Sequence, residues 1–589
     1  MVRTGVTVRG GSIRQRSTMN SEAKETEKGS RPKGRRPPRA ASRVALGIGC
    51  SRALGFLREV VLAYFFGAGP HADVFRTALR GPNLLQNLLG EQTLSASFIP
   101  VYSRLLASGR PEAAGRFAGA VFGLLLAVAA GVSLVGVWLA EPIVSLLAPG
   151  YLADAGKVAA GELSIDRYPL AVSAVRIIFP MTGILVLSAW ALGVLNSHRR
   201  FFISYMAPAL WNAAIIGALI LGAAKLTDSS AAVDGLVTDP QALNQLVIAA
   251  CWGALAGGVL QFAVQLPWAL GLLRGFRPSL SVRISGVREA LRAFAPLLAG
   301  RGAVQISGYL DFFLASFLAA GAVAALGWAQ TLYLLPISLF GMSVAAAELP
   351  ELARQVGVDS ADAMMTRVRS SFRQMAFLTI PSAVGFLVFG YLIIGALFRR
   401  GEFGESDNWL VYLVLVGYSL GLVASTSSRL LNNVYYALGK TRIPARIAVE
   451  RVLLSAAVGV VLMFWLDRTS VNQLFGYEES GNPLFLGAVG LAVGAGISSW
   501  FELLRLHRAL VSMAGPVLLP WGRSLKVLAM ALCACVPGLG LWYVLRYQPV
   551  LLLAPVVLMG FGSTYFVLTK SAGLAEFGAW LGESKKDER

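Results

Sequence analysis

The feature that most constrains this chain is a series of apolar blocks without a single charge. Leu124 to Leu139, Ile177 to Leu195, Ala213 to Ala224, Phe377 to Leu397 and Val550 to Leu568 contain no Asp, Glu, Lys or Arg. About 20 apolar residues at roughly 1.5 Å each cross the hydrocarbon of a bilayer, so such blocks read as spanning helices. The shorter ones need their Gly-, Ser- or Arg-bearing flanks to complete a crossing. One buried core helix could imitate this pattern, but so many in one chain cannot. Charged residues make up only 14% of the 589, against about 25% in soluble proteins. The pattern predicts an all-α polytopic membrane protein of about fourteen spans. They fall near 43–66, 72–103, 117–147, 169–195, 202–224, 245–273, 292–319, 322–350, 374–398, 408–437, 443–466, 482–505, 523–545 and 549–571. The longest loops, around 225–244 and 467–481, are too short for a soluble domain.

Charge asymmetry predicts the orientation. With a cytoplasmic N-terminus, the inside loops carry 21 Lys and Arg, among them Arg104, Arg274, Arg277 and Arg446. The outside loops carry 7, including Lys157, Arg167, Arg399 and Arg468. An excess of basic residues marks the cytoplasmic side, so both termini are expected inside. The first 43 residues hold twelve Lys and Arg against three Glu. They read as a disordered tail resting on anionic lipid, with no nucleic acid as partner. No apolar stretch with a cleavage site follows the charges, so the tail is not a signal peptide, and Met19 is an alternative start. Cys50, Cys251, Cys533 and Cys535 lie in or beside apolar spans and read as packing residues rather than a disulfide or a metal site. No metalloprotease or phosphate-loop motif is present, so hydrolytic chemistry and nucleotide use are not expected.

Ionisable residues inside a membrane are costly and face a partner or a cavity. They concentrate in the first two spans. Ser51, Arg52, Gly55, Arg58 and Glu59 fit within about 120° of one helix, and Asp73, Arg76, Arg80, Asn83, Asn87 and Glu91 within about 80° of the next, with Pro82 free to kink it. Simple ion pairs, Arg58 with Asp73 or Arg80 with Glu91, are one reading of these faces. The arginines outnumber such pairs, however, and guanidinium groups grip phosphates bidentately, so an anionic substrate is the other. The seventh and eighth spans echo the first two more weakly, with Arg301, Gln305, Gly308 and Asp311 on one and Pro336 and Pro350 on the other, as expected of a two-lobed transporter.

The same stretches resemble a known family. Gly55-Phe56-Leu57-Arg58-Glu59, Phe66-Gly67-Ala68-Gly69, Ala72-Asp73, Pro82-Asn83-Leu84-Leu85, Glu91 and Ser95-Ala96-Ser97-Phe98-Ile99-Pro100 are similar to the opening of the MurJ/MviN family. Gln305-Ile306-Ser307, Ala315-Ser316-Phe317-Leu318, Arg400-Gly401-Glu402-Phe403, Tyr436-Ala437-Leu438 and Thr441-Arg442-Ile443-Pro444 continue the likeness in order over about 43–510. The resemblance implies lipid II flippases of the multidrug/oligosaccharidyl-lipid/polysaccharide exporter superfamily. These have two six-helix lobes with pseudo-symmetry and a C-terminal helix pair, work by alternating access, and reside in the inner membrane. On that plan 1–42 is the basic cytoplasmic tail, 43–273 the first lobe, 274–466 the first part of the second lobe, 467–508 its last helix, 509–571 the C-terminal pair and 572–589 a cytoplasmic tail. It further implies a cationic cavity between helices 1, 2, 7 and 8, a lipid-tail groove on the last two helices, and cell-wall synthesis machinery among the partners.

Carried over by position, Ser51, Arg52, Arg58 and Asn83 fall in or near the substrate cavity, as do Asp73 and Glu91. Gln86 and Thr331 stand where the family has arginines, and Gln92 where it has glycine; Arg76 or Arg301 is expected to compensate. Arg52 and Arg58 are expected to hold the diphosphate, with Arg80 or Arg301 as second anchor. Asp73, Glu91 and Glu59 serve charge pairing or gating when the cavity is empty. Asp311 matches a sodium-ligand position, whereas the helix-11 partners are here Ser455 and Gly459. The driving force is then Na+ or the membrane potential, with no other cofactor. Two alternatives stay open: export of another polyprenyl-diphosphate-linked glycan, and a transport-inactive envelope scaffold.

Overall fold

The computed structural model describes residues 39–227, 232–233, 236–237, 239–341, 361–476, 483–514 and 520–574. The expected tails therefore lie almost wholly outside the described residues, as do Pro350 and the side chains of Glu91, Gln92 and Arg301. The described chain is helical apart from turns, the connection 272–286, an isolated bridge between Ser470 and Phe485, and one two-residue antiparallel pair, Ala232–Val233 with Leu236–Val237.

In chain order the helices are α1 (Arg39–Phe66), α2 (Pro70–Leu89), α3 (Glu91–Ala107), α4 (Pro111–Trp138), α5 (Ala140–Leu147), α6 (Asp154–Ala159), α7 (Arg167–Ser197), α8 (Phe201–Thr227) and α9 (Pro240–Gly271). There follow α10 (Val287–Ala315), α11 (Ala322–Pro336), α12 (Ala361–Phe398), α13 (Glu405–Leu420), α14 (Leu422–Ala437), α15 (Arg442–Leu466), α16 (Val471–Phe475), α17 (Gly487–Ala514), α18 (Trp521–Val544) and α19 (Val550–Ser571). Among the described residues ten helices are long and apolar enough to span a membrane, or eleven if α13 and α14, bent by 43°, form one span. The expected fourteen also require α1, α2 with α3, and α10, which carry the polar faces noted above and miss that apolar standard for that reason.

Local chemistry sets the boundaries. Asp166 caps α7 by accepting from Tyr168 N (3.0 Å), and Asp239 caps α9 by accepting from Ala242 N (2.8 Å), with Pro240 at the first helical position. The second expected span runs on through Pro82 and breaks at Gly90. The break between α13 and α14 falls at Gly421, where backbone lies against Gly496 of α17.

Helices α1 to α9 pack mainly on one another, as do α11 to α17, and α18 and α19 lean on α12. One buried core runs through both halves, joining Phe66, Phe75 and Leu62 to Trp328, Phe398 and Phe403, while elsewhere Val287 and Ala290 of α10 pack with Val101 and Phe117 and Glu289 pairs with Arg104 (2.5 Å). The halves are thus sealed at the end of Phe66 and Phe403. Away from it, the connection between them (272–286) lies in a trough on α4. Gly115, Gly119 and Gly123 face the backbone of Arg274, Arg277 and Ser279, and Ser279 N donates to Gly119 O (3.3 Å). A Cβ at any of the three would run into that backbone. The connector therefore belongs to the first half. Overpacking of this kind costs about 1–3 kcal/mol. Gly119→Leu is expected to lower the thermal unfolding midpoint in detergent, whereas Gly131→Leu on the same helix, which faces open space, leaves it unchanged.

Candidate functional site

The sealed end is organised by Asp73, near the start of α2. Its carboxylate accepts from the backbone of Gly321 (2.7 Å) and Ala324 (2.8 Å), at the start of α11 in the other half. A helix N-terminus has free N–H groups and favours negative charge, so the placement is doubly favourable. Arg167 Nη1 donates to Asp73 (3.1 Å) while its Nε and Nη2 grip Asp154 (2.5 and 3.0 Å), and its guanidinium lies over Tyr151 (4.3 Å). All three charged side chains are fully buried.

Two further contacts cross the same joint. Asp407, in the first turn of α13, accepts from Gly404 N (2.8 Å) and from the backbone of Ala68. The Gly401-Glu402 turn docks on the end of α1, where Glu402 N donates to Tyr64 O (2.9 Å). Gly67 and Gly401 both have positive φ there (50° and 62°), and a Cβ on either would strike the opposing chain.

A recess of about 380 Å³ opens in the first half, lined by residues of α1, α2, α7, α8 and α9. Arg58, Asn83, Gln86, Ser188, Trp211 and Gln261 give it its polar character. Arg58 stands at its edge. Its Nη1 donates to Asn212 Oδ1 (3.0 Å), its Nη2 to Glu59 Oε1 (2.6 Å), and its guanidinium lies over Trp211 (4.9 Å). The second oxygen of Glu59 accepts from Arg76 Nη2 (2.5 Å), so one carboxylate joins two guanidinium groups. Arg76 in turn stacks on Trp328 of α11 (4.7 Å) and lies on Gly327, which has no room for a side chain. Arg80, one turn on, is buried over the ring of Phe312 (3.4 Å). No carboxylate pairs with it among the described residues.

The expected site residues separate accordingly. Arg58 and Asn83 line the recess, with Glu59 and Arg76 attached to it. Ser51 and Arg52 lie at the middle of α1, outside the recess lining, and Arg52 is exposed. Arg301 and Glu91 are on helices, with side chains outside the described residues. Asp73 corrects an expectation: it pairs with Arg167, not with the arginines of α1 and α2, because it points into the joint rather than the recess. Arg167 itself reads as a loop charge in sequence and is buried here. Thr331, where an arginine is expected, donates to Gly327 O of its own helix (2.9 Å).

Asp311, expected as a sodium-ligand position, feels the charges of Arg451 and Arg80. Arg451 donates to Glu502 Oε2 (3.0 Å) and Ser499 Oγ (3.4 Å). Among the described residues no three His, Cys, Asp or Glu side chains stand together as metal ligands.

Breaking a buried ion pair by removing one partner costs about 3–5 kcal/mol. Asp73→Asn and Arg167→Gln are each expected to lower the detergent unfolding midpoint sharply. The double variant should lose much less than the sum, which a double-mutant cycle on the two midpoints reads directly.

Comparison with known proteins agrees with this architecture. The family model for the lipid II flippase MurJ matches residues 62–559. The chain is 30% identical over 462 residues to a probable lipid II flippase MurJ of Vibrio cholerae serotype O1, covering 78% of this chain and 80% of that one. It is 28% identical to a lipid II flippase MurJ of Burkholderia cenocepacia, over 88% of this chain and 93% of that one. In fold it is similar to a solved lipid II flippase MurJ in an inward closed conformation, with TM-score 0.63, 19% identity, and coverage of 90% of this chain and 99% of the other. It is also similar in fold to an inward-facing multidrug resistance MATE family transporter of the MOP superfamily, with TM-score 0.57, 14% identity, and coverage of 81% and 98%. With most of its length matched by one family model and by relatives of nearly full length, this multi-pass membrane protein belongs to the lipid II flippase MurJ family.

Proposed function

We propose that this protein is a transporter, not an enzyme, that moves lipid II from the cytoplasmic to the outer leaflet of the inner membrane. The observation that carries the reading is the clamp of Arg58, Glu59 and Arg76 beside the recess. Glu59 sits between two guanidinium groups as an internal anion, with the buried Arg80 close by. A diphosphate has the charge and the oxygens to replace that carboxylate. Guanidinium groups hold phosphate by paired hydrogen bonds, and in a site of low polarity such charge-assisted bonds are strong.

The charge asymmetry of the loops supports cytoplasmic termini, which places the sealed end outward. The headgroup would then enter from the inner side and exchange Glu59 for its diphosphate. Closure behind it and parting of the Asp73 joint would expose it outside. Arg76 couples the two events, because it touches both Glu59 and α11 of the second half. Na+ or the membrane potential is the proposed driving force. Enzymes of cell-wall synthesis are the expected partners on either side.

A second reading, export of another polyprenyl-diphosphate-linked glycan, is favoured by Gln86, an amide lining the recess where the family resemblance implies an arginine. An inactive scaffold fits less well, since it has no use for buried, incompletely paired arginines. Complementation of a lipid II flippase depletion strain, with outer-leaflet lipid II labelled in parallel, tests the proposal. The wild-type chain is expected to restore growth and labelling. Arg58→Lys keeps the charge but loses the planar fork and should reduce labelling at least about tenfold, a loss of roughly 1.4 kcal/mol or more. Full rescue by Arg58→Lys contradicts bidentate recognition; failure of the well-expressed wild type contradicts lipid II as cargo.

A further inference from the structure

We infer that the recess beside Arg58 is a subsite for the neutral sugar of the headgroup, next to but separate from the place of the diphosphate. The inference rests on the preceding reading that the cargo is a polyprenyl-diphosphate-linked glycan, and it assigns which part of that cargo the recess holds.

Charge comes first. Arg58 is the one charged residue lining the recess among the described residues, and both its terminal nitrogens are already engaged, by Asn212 and Glu59. A second phosphate or a peptide carboxylate placed deeper would meet no free cation. An apolar chain would strand several buried polar groups, each costing about 1–3 kcal/mol. What remains is a neutral group with many hydrogen-bonding atoms.

The polar wall has that complementarity. Ser188 Oγ donates to Gln265 Oε1 (2.6 Å) and accepts from Gln261 Nε2 (3.0 Å). This chain fixes the Gln261 amide and leaves its Oε1 to accept from whatever fills the space. Behind it, Gln265 Nε2 is buried with no partner among the described residues. On the opposite wall, Asn83 and Gln86 each bring an amide that both donates and accepts, as a sugar hydroxyl or acetamido group does. The indole of Trp211, held by its Nε1 donating to Ala254 O (3.1 Å) and by the Arg58 guanidinium over its ring (4.9 Å), adds rigid apolar surface to the lining. The volume, about 380 Å³, lies at the low end of the roughly 300–1,000 Å³ of small-molecule sites. An arginine at position 86 would have turned this wall cationic; Gln86 keeps it neutral.

The test is binding to the full-length protein in nanodiscs, with undecaprenyl diphosphate, lipid II and phosphatidylglycerol as probes. The wild type is expected to hold lipid II at least about tenfold more tightly than undecaprenyl diphosphate, since a site built to hydrogen-bond a group discriminates against a ligand that lacks it. Gln261→Leu, and separately Gln86→Leu on the other wall, should remove most of that margin and leave the affinity for undecaprenyl diphosphate as it was. That unchanged affinity also shows that the variants are folded. Wild type that binds the two diphosphate lipids alike, or variants that keep the full preference, or variants that lose both lipids equally, overturn the subsite. Wild type that holds neither more tightly than phosphatidylglycerol overturns the proposed cargo as well.

Discussion

The arrangement depends first on a buried carboxylate. Asp73 reaches from one half of the molecule to the first turn of α11 in the other, and Arg167 and Asp154 hold it there. A lone carboxylate in that position would be expensive; Arg167 compensates it, and Asp154 balances Arg167. Because its acceptors are spent on backbone N–H groups of the opposite half, the charge network fixes the relation between the halves rather than the interior of either. The glycines at the same joint, Gly67 and Gly401, let backbone meet backbone where side chains would hold the halves apart.

A joint of this kind suits a protein that must come apart and close again. Hydrophobic contact alone is non-directional and tolerates sliding, whereas hydrogen bonds to a helix end have one register. Arg76 places the second function next to the first. It stacks on α11 one turn from the Asp73 joint and pairs with Glu59 at the recess. Loss of Glu59 to an incoming anion therefore changes the balance of charge beside the joint itself.

Much of this was legible in sequence. The apolar blocks mark the long helices α7, α8, α12 and α19, and the polar faces of α1 and α2 singled out Arg58, Glu59, Asp73, Arg76 and Arg80. What periodicity cannot show is which partner a polar face meets. Asp73 and Arg167 are 94 residues apart, and nothing local marks Arg167 as buried, since an arginine at a helix start ordinarily reads as a loop charge. Asn212, Ser188 and Gln261 were hidden for another reason. They are uncharged and sit singly in apolar helices, so only the packing of α7, α8 and α9 brings them to one wall. Intramembrane amides were the available signal, and weighing them as heavily as the charges would have pointed to that wall.

The central claim is that the Asp73 joint opens in response to cargo held at the Arg58 clamp. It is tested most directly by a distance across the sealed end. Spin labels at Ala160 and Arg468, both exposed near that end, in a background without the four native cysteines, report the separation of the halves in nanodiscs. The account predicts one short distance without cargo, a second and longer population when lipid II is added, and no such population with lipid II in Arg58→Ala. A distance that stays the same with lipid II, or that lengthens equally in Arg58→Ala, would contradict it.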